Sequence, residues 1–224
     1  MPSILQGPAL LDRFQALDGF LLEHQALWRP RPFHHLQLPW ETAHPELAQW
    51  LRQRSLEDAE AAHNQPQQLQ APAPFAPLAE QARALGALGE LPIKALPAPH
   101  PRLNVDVPGR KWQQIEAFAS HLAFRDPPHH WLDWCSGKGH LGRRLLQPGQ
   151  QLTCLEYDAE LVAAGQALSD HHHLTARHVH QDVMAADSAR HLDSDKTVVA
   201  LHACGDLHVR LLRLASQQGC RQVA

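Results

Sequence analysis

The sequence has little of several features that would mark a functional class. Its 224 residues carry 20 Lys and Arg against 23 Asp and Glu, so the formal net charge is only −3. This near balance excludes the strongly basic surface of a typical nucleic-acid-binding protein, although nucleic acid stays possible as a substrate. No window approaches the ~20 uninterrupted apolar residues that a membrane-spanning helix needs. The first 22 residues include Asp12, Arg13 and Asp18, so we expect neither a signal peptide nor a membrane anchor there.

Cysteine is also scarce, and no two cysteines are closely spaced. The chain has four, none in a Cys-x-x-Cys pair: Cys135, Cys154, Cys204 and Cys220. Without a secretory signal, this pattern predicts reduced thiols in a cytoplasmic protein and not a disulfide framework. Apolar residues make up 44% of the chain and charged residues 19%. That composition is sufficient for a buried core and argues against a disordered chain.

The first half of the chain divides into two regions of different composition. Residues 1–64 show helical periodicity, with an apolar stripe at Leu10, Phe14, Leu17, Leu21 and Trp28. A second helix is predicted after Pro45. Residues 65–108 hold nine of the chain's 18 prolines. We expect that region to be a linker or extended segment, with only residues 78–88 helical.

Residues 109–224 alternate between helix and strand patterns. Strands are predicted at 131–135, 151–156, 177–181 and 197–202, with a fifth beginning at 221, and the main helices at 111–123, 141–146, 158–168 and 206–216. Strands that alternate with helices of this length predict βαβ units and a parallel sheet. The predicted fold class is therefore α/β, with a Rossmann-like parallel sheet behind a helical amino-terminal region.

A glycine motif lies between the first strand and its helix. Gly137, Gly139 and Gly142 match G-x-G-x-x-G in the context that a nucleotide-binding turn requires. A triphosphate-binding P-loop is excluded, because Leu132 stands where its first glycine should be and Gly139 stands where it needs Ser or Thr. Three interpretations of the glycine motif remain: a tight turn with no ligand, a dinucleotide site and an S-adenosylmethionine site.

The charge of Asp133 distinguishes the last two ligands. This residue stands at the end of the predicted strand, and at ~4–6 Å its carboxylate would repel a diphosphate by roughly 3–4 kcal/mol at an effective dielectric of 20. The ammonium and sulfonium groups of S-adenosylmethionine would instead be attracted. The carboxylate of that cofactor can accept hydrogen bonds from the amides of the glycine turn. The pattern therefore favours S-adenosylmethionine over NAD(P) or FAD.

Other strand ends supply the remaining candidate residues. Glu156 is predicted to accept from the ribose hydroxyls, or to cap the next helix. Asp182 is placed for the adenine edge, or for capping a loop. His202 is the candidate catalytic base, with packing at the strand end as the alternative role. The predicted cofactor-binding set is Asp133, Cys135, Ser136, Gly137, Lys138, Gly139, Gly142, Glu156, Asp182 and His202.

The 18 histidines suggest a metal site, but their spacing does not support one. His171–His173 precede a strand that contains His178 and His180, yet neither a Cys-x-x-Cys pair nor a His-Glu-x-x-His motif accompanies them. We therefore predict a polar loop and no metal. Cys135 and Cys204 stand at strand ends, where a nucleophilic thiol is conceivable, although small buried thiols are commoner.

Two contiguous motifs carry a resemblance. CSGKGHLG at Cys135–Gly142 and HACGDL at His202–Leu207 resemble a family of class I methyltransferases. That family includes the methyltransferase-like protein 25 group, the glutathione S-transferase C-terminal-domain-containing protein and many bacterial proteins. The resemblance covers residues 109–224 and implies S-adenosylmethionine as the cofactor. It also implies seven strands, so we expect a domain that is incomplete after its fourth strand and has low activity.

The sequence therefore predicts an S-adenosylmethionine-dependent methyltransferase that acts by direct displacement. The methyl acceptor is open among RNA, protein and small molecules. Two alternatives remain, a nonenzymatic scaffold with a methyltransferase fold and an NAD(P)-dependent oxidoreductase.

Overall fold

The computed structural model describes residues 4–63, 65–66, 69–87, 89, 91–105 and 107–224. The chain forms two compact units, Met1–Glu90 and Leu91–Ala224. The boundary between them falls inside the region of residues 65–108 that the proline content predicts to be a linker.

The amino-terminal unit is helical, which confirms the helical region predicted from the periodicity. Its α-helices are α1 (Pro8–Glu23), α2 (Gln25–Trp28), α3 (Pro45–Arg52), α4 (Leu56–Ala62) and α5 (Phe75–Gly86), with 3-10 helices at Pro32–His34 and Pro39–Glu41. The helix predicted at 78–88 thus begins earlier, and its predicted last residue, Leu88, lies outside the described residues. No residue of α1 is buried: Leu10, Phe14 and Leu21 of the apolar stripe are exposed, and Leu17 is half-buried.

One side chain joins the two longest helices of this unit. The guanidinium of Arg13 in α1 donates to the carbonyl oxygens of Leu85 at 2.8 Å and Ala87 at 3.0 Å. These carbonyls lie at the end of α5, where backbone acceptors lack helical partners, so a cation there is favourable.

The carboxy-terminal unit is a parallel α/β sheet, as predicted. Its elements are α6 (Gly109–His121), β1 (His130–Trp134), α7 (His140–Leu145), β2 (Gln151–Glu156), α8 (Ala159–His171), β3 (Ala176–His180), a 3-10 helix (Ala186–His191), β4 (Lys196–Val199), α9 (Asp206–Gln217) and β5 (Gln222–Val223). The strand order is β3-β2-β1-β4-β5 and every pair is parallel. The chain reverses its direction of travel along the sheet after β3, which places the carboxyl ends of β1 and β4 side by side at the switch point.

The sheet is covered on both faces because β1 alternates its side chains between two core layers. Leu132 and Trp134 join the layer that contains Leu211 of α9. Trp131 joins the opposite layer, with Ile115 of α6 among its members. Burial on both faces accounts for the apolar Trp131, Leu132 and Trp134, whereas Asp133 is a buried polar exception in this strand.

The end of β4 differs from the prediction. Residues 197–202 were expected to be strand, but β4 ends at Val199. His202 has a φ of 69°, which is a left-handed conformation that no strand accommodates. His202 therefore lies in the turn after the strand and not at its last position. Among the described helices, none has the length and apolar character needed to cross a membrane.

A buried histidine fills the space between α8 and the turn after β1. The ring of His178 in β3 accepts or donates a hydrogen bond at 3.0 Å with the Ser169 hydroxyl. It leaves no room for a side chain on either flank, because a Cβ on Gly139 would lie 2.6 Å from its Cε1 and one on Gly165 would lie 2.4 Å from its Nδ1. Burial, with the nearby Arg143 charge, lowers the pKa of His178 to about 4, so the ring is neutral at pH 7.

We expect Gly165→Ala to destabilise this unit by up to about 2 kcal/mol, because overpacking usually costs about 1–3 kcal/mol. The new methyl group would overlap His178 and approach the Lys138 carbonyl oxygen at 3.0 Å. The ~1 kcal/mol by which alanine is the better helix former offsets part of that cost. Urea unfolding measures the difference. Gly109→Ala in α6 is the matched control, since its Cβ would meet nothing within 4 Å. Equal stability of Gly165→Ala and the parent would contradict this packing.

Candidate functional site

The turn between β1 and α7 has a left-handed backbone at three positions. Cys135, Gly137 and Gly139 have φ values of 58°, 56° and 72°, all left-handed. Glycine accepts this region without cost, whereas a left-handed cysteine is strained by roughly 1–2 kcal/mol. Such strain is concentrated at functional sites in proteins. A Cβ on Gly137 would meet nothing within 4 Å, so this side of the turn faces open space.

Asp133 lies beneath the turn, and its position differs from the predicted contact with a cofactor. Its side chain is only 2% exposed, and its Oδ2 accepts a hydrogen bond from the Gly142 amide at 2.9 Å. A carboxyl group in this position cannot contact a ligand in the open crevice without moving. The structure instead gives Asp133 a bracing role, in which it fixes the start of α7 against β1.

Burial also changes the acidity of Asp133. Loss of solvent raises the pKa of its carboxyl to about 7, against the opposing effects of the Gly142 amide and the charges of Arg143 and Lys111. Two states of Asp133, neutral and ionised, are therefore both populated near neutral pH.

Arg143, which the sequence analysis did not single out, holds the turn from the side of α7. Its buried guanidinium donates to the carbonyl oxygens of Lys138 and Gly165 and to His140 Nδ1 at 3.0 Å. A guanidinium can only donate, so Nδ1 of His140 is the acceptor. Burial and the charge of Arg143 lower the pKa of His140 to about 4, which keeps that ring neutral. The adjacency of Arg143 to Gly142 was the one available sequence signal.

Glu156, at the end of β2, braces the turn from the neighbouring strand. Its Oε2 accepts from the Gly137 amide at 2.7 Å, while its Oε1 accepts from the Tyr157 and Asp158 amides at 2.9 Å and 3.0 Å. A carboxylate offers about four acceptor positions. Three are occupied by backbone amides, so one position on Oε2 is left for a ligand hydroxyl.

The amides of the turn are mostly paired. Ser136 N donates to the Leu155 carbonyl at 2.9 Å and Gly139 N donates to the Ser136 carbonyl at 2.8 Å. With Gly137 N bound to Glu156, the amide of Lys138 is the one in residues 136–139 without a hydrogen-bond partner among the described residues. It is the turn's available donor for an anionic group.

The ends of β2 and β3 carry exposed polar and aromatic groups. Asp182 is exposed, and its Oδ1 accepts from the Met184 amide at 2.8 Å, which is a loop-capping contact. Tyr157, which the sequence analysis did not single out, is 70% exposed, and its ring centroid lies 6.3 Å from that of His180. An exposed aromatic ring beside a crevice offers a surface on which a planar group can stack.

His202 is exposed in the turn after β4, where it contacts α6. Its Nε2 lies 3.1 Å from the Oε1 of Gln114. Because Oε1 is an acceptor, Nε2 carries the proton and Nδ1 keeps a free lone pair. Cys135 is one of the two candidates for a nucleophilic thiol. Burial, with the charges of Glu156, Asp133 and Asp182, raises the pKa of Cys135 to about 11. Its thiol is therefore protonated at neutral pH and is a poor nucleophile.

The structure thus brings Asp133, Glu156 and the glycines together around one turn. It places Asp182 at the next strand end and His202 with Gln114 on the far side of β1. Within the described residues, no group of three or more histidine, cysteine or acidic side chains has metal-binding geometry.

Comparison with known proteins identifies the family of this unit. The profile of a family described as a methyltransferase domain matches residues 110–224, which is just over half of the chain and contains all five strands. The chain belongs to this methyltransferase family. A comparison with the curated proteins finds no match.

Several solved structures are similar to part of this chain at low sequence identity. The precorrin-6y C5,15-methyltransferase of Geobacter metallireducens GS-15 is 14% identical, over 54% of this chain and 61% of that one, with a TM-score of 0.40. TehB of Haemophilus influenzae is 13% identical, over 47% and 36%, with a TM-score of 0.37. The glycopeptide N-methyltransferase MtfA, solved with S-adenosylmethionine, is 18% identical, over 47% and 48%, with a TM-score of 0.35. This chain spans less than two thirds of each.

We expect the methyltransferase domain to lose stability between about pH 4 and pH 7 because of Asp133. The pKa of its carboxyl is raised from 3.8 to about 7 in the folded protein. The unfolded chain therefore releases the proton first, and folding becomes less favourable as pH rises through this window. Asp133→Asn keeps an acceptor for the Gly142 amide and removes the titration. Its free energy of unfolding relative to the parent should rise by about 1–4 kcal/mol from pH 4 to pH 8.

Urea unfolding at a series of pH values measures this difference. Asp195→Asn is the matched control, because Asp195 is exposed and its side chain has no hydrogen-bond partner among the described residues. Parallel profiles for Asp133→Asn and the parent would show that the buried carboxyl does not titrate as described.

Proposed function

We propose that the carboxy-terminal unit binds S-adenosylmethionine at the carboxyl edge of the sheet and transfers its methyl group to an acceptor. The observation that carries this proposal is the family match, because it spans the glycine turn and the ends of β1, β2, β3 and β4. Ligands of open parallel sheets bind at this edge, at the switch point of the strand order. An NAD(P)-dependent oxidoreductase loses support on the same ground.

The residues at this edge fit the cofactor. Lys138 supplies an unpaired amide for the cofactor carboxylate, and Gly137 leaves space beside it. Glu156 retains one acceptor position for a ribose hydroxyl, and Asp182 and Tyr157 lie where the adenine would follow. Asp133 acts from beneath the turn. Four further residues form the backbone of the turn and make no side-chain contact with the cofactor: Cys135, Ser136, Gly139 and Gly142.

His202 is proposed as the base of the transfer. The acceptor's nucleophilic atom attacks the methyl carbon while the bond from that carbon to sulfur breaks, so the sulfonium becomes a neutral thioether. An acceptor with an N–H or O–H group must also lose a proton, and Nδ1 of His202 has the lone pair to take it. Gln114 holds the imidazole in the required tautomer through its 3.1 Å contact with Nε2. RNA, protein and small-molecule acceptors all meet this requirement. A scaffold with a methyltransferase fold would bind the cofactor and transfer nothing.

We expect S-adenosylhomocysteine, and not NADH, to raise the melting temperature of the chain, because only a ligand that binds the folded state stabilises it. Glu156→Ala should weaken binding of S-adenosylhomocysteine at least about tenfold, since it removes charge-assisted hydrogen bonds that hold the turn. Glu160→Ala, an exposed acid in the first turn of α8, is the control. Stabilisation by NADH alone would overturn the cofactor assignment.

We expect His202→Ala to lower methyl transfer by about 10²–10⁴-fold, the usual contribution of a general base, without changing the affinity for S-adenosylhomocysteine. Transfer is measured from radiolabelled S-adenosylmethionine into the RNA, protein and small-molecule fractions of a lysate. Gln114→Ala should give a smaller loss and a shifted pH profile, because the tautomer is no longer fixed. His129→Ala alters an exposed histidine at the opposite edge and should have full activity. Unchanged transfer by His202→Ala would exclude this base.

A further inference from the structure

A second cleft lies at the amino-terminal edge of the sheet, away from the glycine turn. It has a volume of about 510 Å³ and is lined by the end of α7, the segment around His100 and the loops that lead into β2 and β3. Those loops precede their strands, so the cleft is at the opposite edge from the proposed cofactor site. Its volume lies within the range of small-molecule sites.

The ionisable side chains that line this cleft are all basic. Arg143, Arg144, His100, His172 and His173 contribute to it, and no acidic side chain does so among the described residues. The Arg144 charge is partly offset outside the cleft, where the guanidinium pairs with Glu116 and donates to the Pro97 carbonyl at 3.1 Å. A concave surface with two arginines, three histidines and no carboxylate favours anions over cations.

Two of these groups have unused hydrogen-bonding capacity. His172 is 9% exposed, and within the described residues neither ring nitrogen has a hydrogen-bond partner. Its ring packs edge to face between His100, at a centroid distance of 5.0 Å, and His171, at 5.1 Å, so its position is fixed. Arg144 uses Nε and Nη2, and its Nη1 has no partner in the described part of the chain. These atoms are accessible to solvent, so they can donate to a ligand in the cleft that their side chains line.

We propose that this cleft binds a small phosphate-type oxyanion, with the Arg144 Nη1 and the His172 ring as its donors. The apolar side chains of Pro99, Leu103 and Leu146 line the rest of the cleft and would receive the organic part of a phosphorylated molecule. A nucleic-acid backbone is not the favoured ligand, because the chain carries a formal net charge of −3 and such ligands require an extended basic surface.

The test titrates the full chain with sodium sulfate by calorimetry, with saturating S-adenosylhomocysteine present so that the turn after β1 is occupied. Sulfate keeps its charge from pH 5 to pH 8, so any pH dependence of binding belongs to the protein. We expect one saturable site whose affinity falls at least about tenfold in His172→Gln and in His100→Ala, because each removes a donor or its support. His129→Ala is the control and should bind as the parent does. Melting temperatures verify that each variant is folded, and His100 is exposed, so its variant should fold.

Sulfate affinity should rise as pH falls from 8 to 5. Burial, together with His100, His171, Arg143 and His173, lowers the pKa of His172, and a bound anion favours the protonated ring. The histidine signals in an NMR titration should therefore show a higher pKa for His172 with sulfate than without it. His172→Gln should reduce this pH dependence.

Inorganic phosphate, phenyl phosphate and phenol then distinguish the source of the anion. Tighter binding of phenyl phosphate than of phosphate indicates a phosphorylated organic ligand, whereas equal affinities indicate the free ion. Absence of saturable sulfate binding, equal affinity in His172→Gln and the parent, or binding of phenol as tight as that of phenyl phosphate would each overturn the proposal.

Discussion

Three charged side chains hold the turn between β1 and α7, and the rest of the site depends on them. Asp133 accepts from the Gly142 amide, Glu156 accepts from the Gly137 amide and Arg143 donates to the Lys138 carbonyl. Each side chain comes from a different element, so the turn is tied to its own strand, to the next strand and to the helix that follows. Residues with a left-handed backbone keep that conformation only where the surrounding structure holds them in it. Hydrogen bonds to charged groups are among the stronger contacts that can do so.

This bracing also decides which backbone groups are available to a ligand. Because the carboxylate of Glu156 already takes the Gly137 amide, the Lys138 amide is the available donor in residues 136–139. Attraction between Asp133 and a cationic cofactor would act through the turn and not by contact, since Asp133 is buried and only partly ionised near pH 7. The attraction between Asp133 and the cofactor therefore keeps the predicted sign, but the predicted direct contact is absent.

The alternation of strand and helix patterns was sufficient to predict the parallel sheet, and β2 has the predicted bounds of Gln151–Glu156. The two-residue period of a strand also puts Asp133 on the same face as the buried Trp131, so the burial of Asp133 was predictable. The end of β4 was not predictable, because the left-handed backbone of His202 depends on tertiary contacts. The roles of Arg143 and Gln114 depend on which groups the fold brings near them, and no local pattern records that.

Helix α7 is the helical part of the crossover between the two edges of the sheet, and it has only six residues, His140–Leu145. At 1.5 Å per residue, its ends are about 9 Å apart, which is less than the ~10 Å screening length at 0.1 M salt, and screening inside the protein is weaker still. The charge of Arg143 helps to lower the pKa of Asp133 beneath the turn, and the same side chain lines the second cleft. An anion in that cleft would offset this charge and favour the protonated form of Asp133. Occupancy at one edge of the sheet would thereby act on the brace of the turn at the other, through electrostatics alone and without a change of fold.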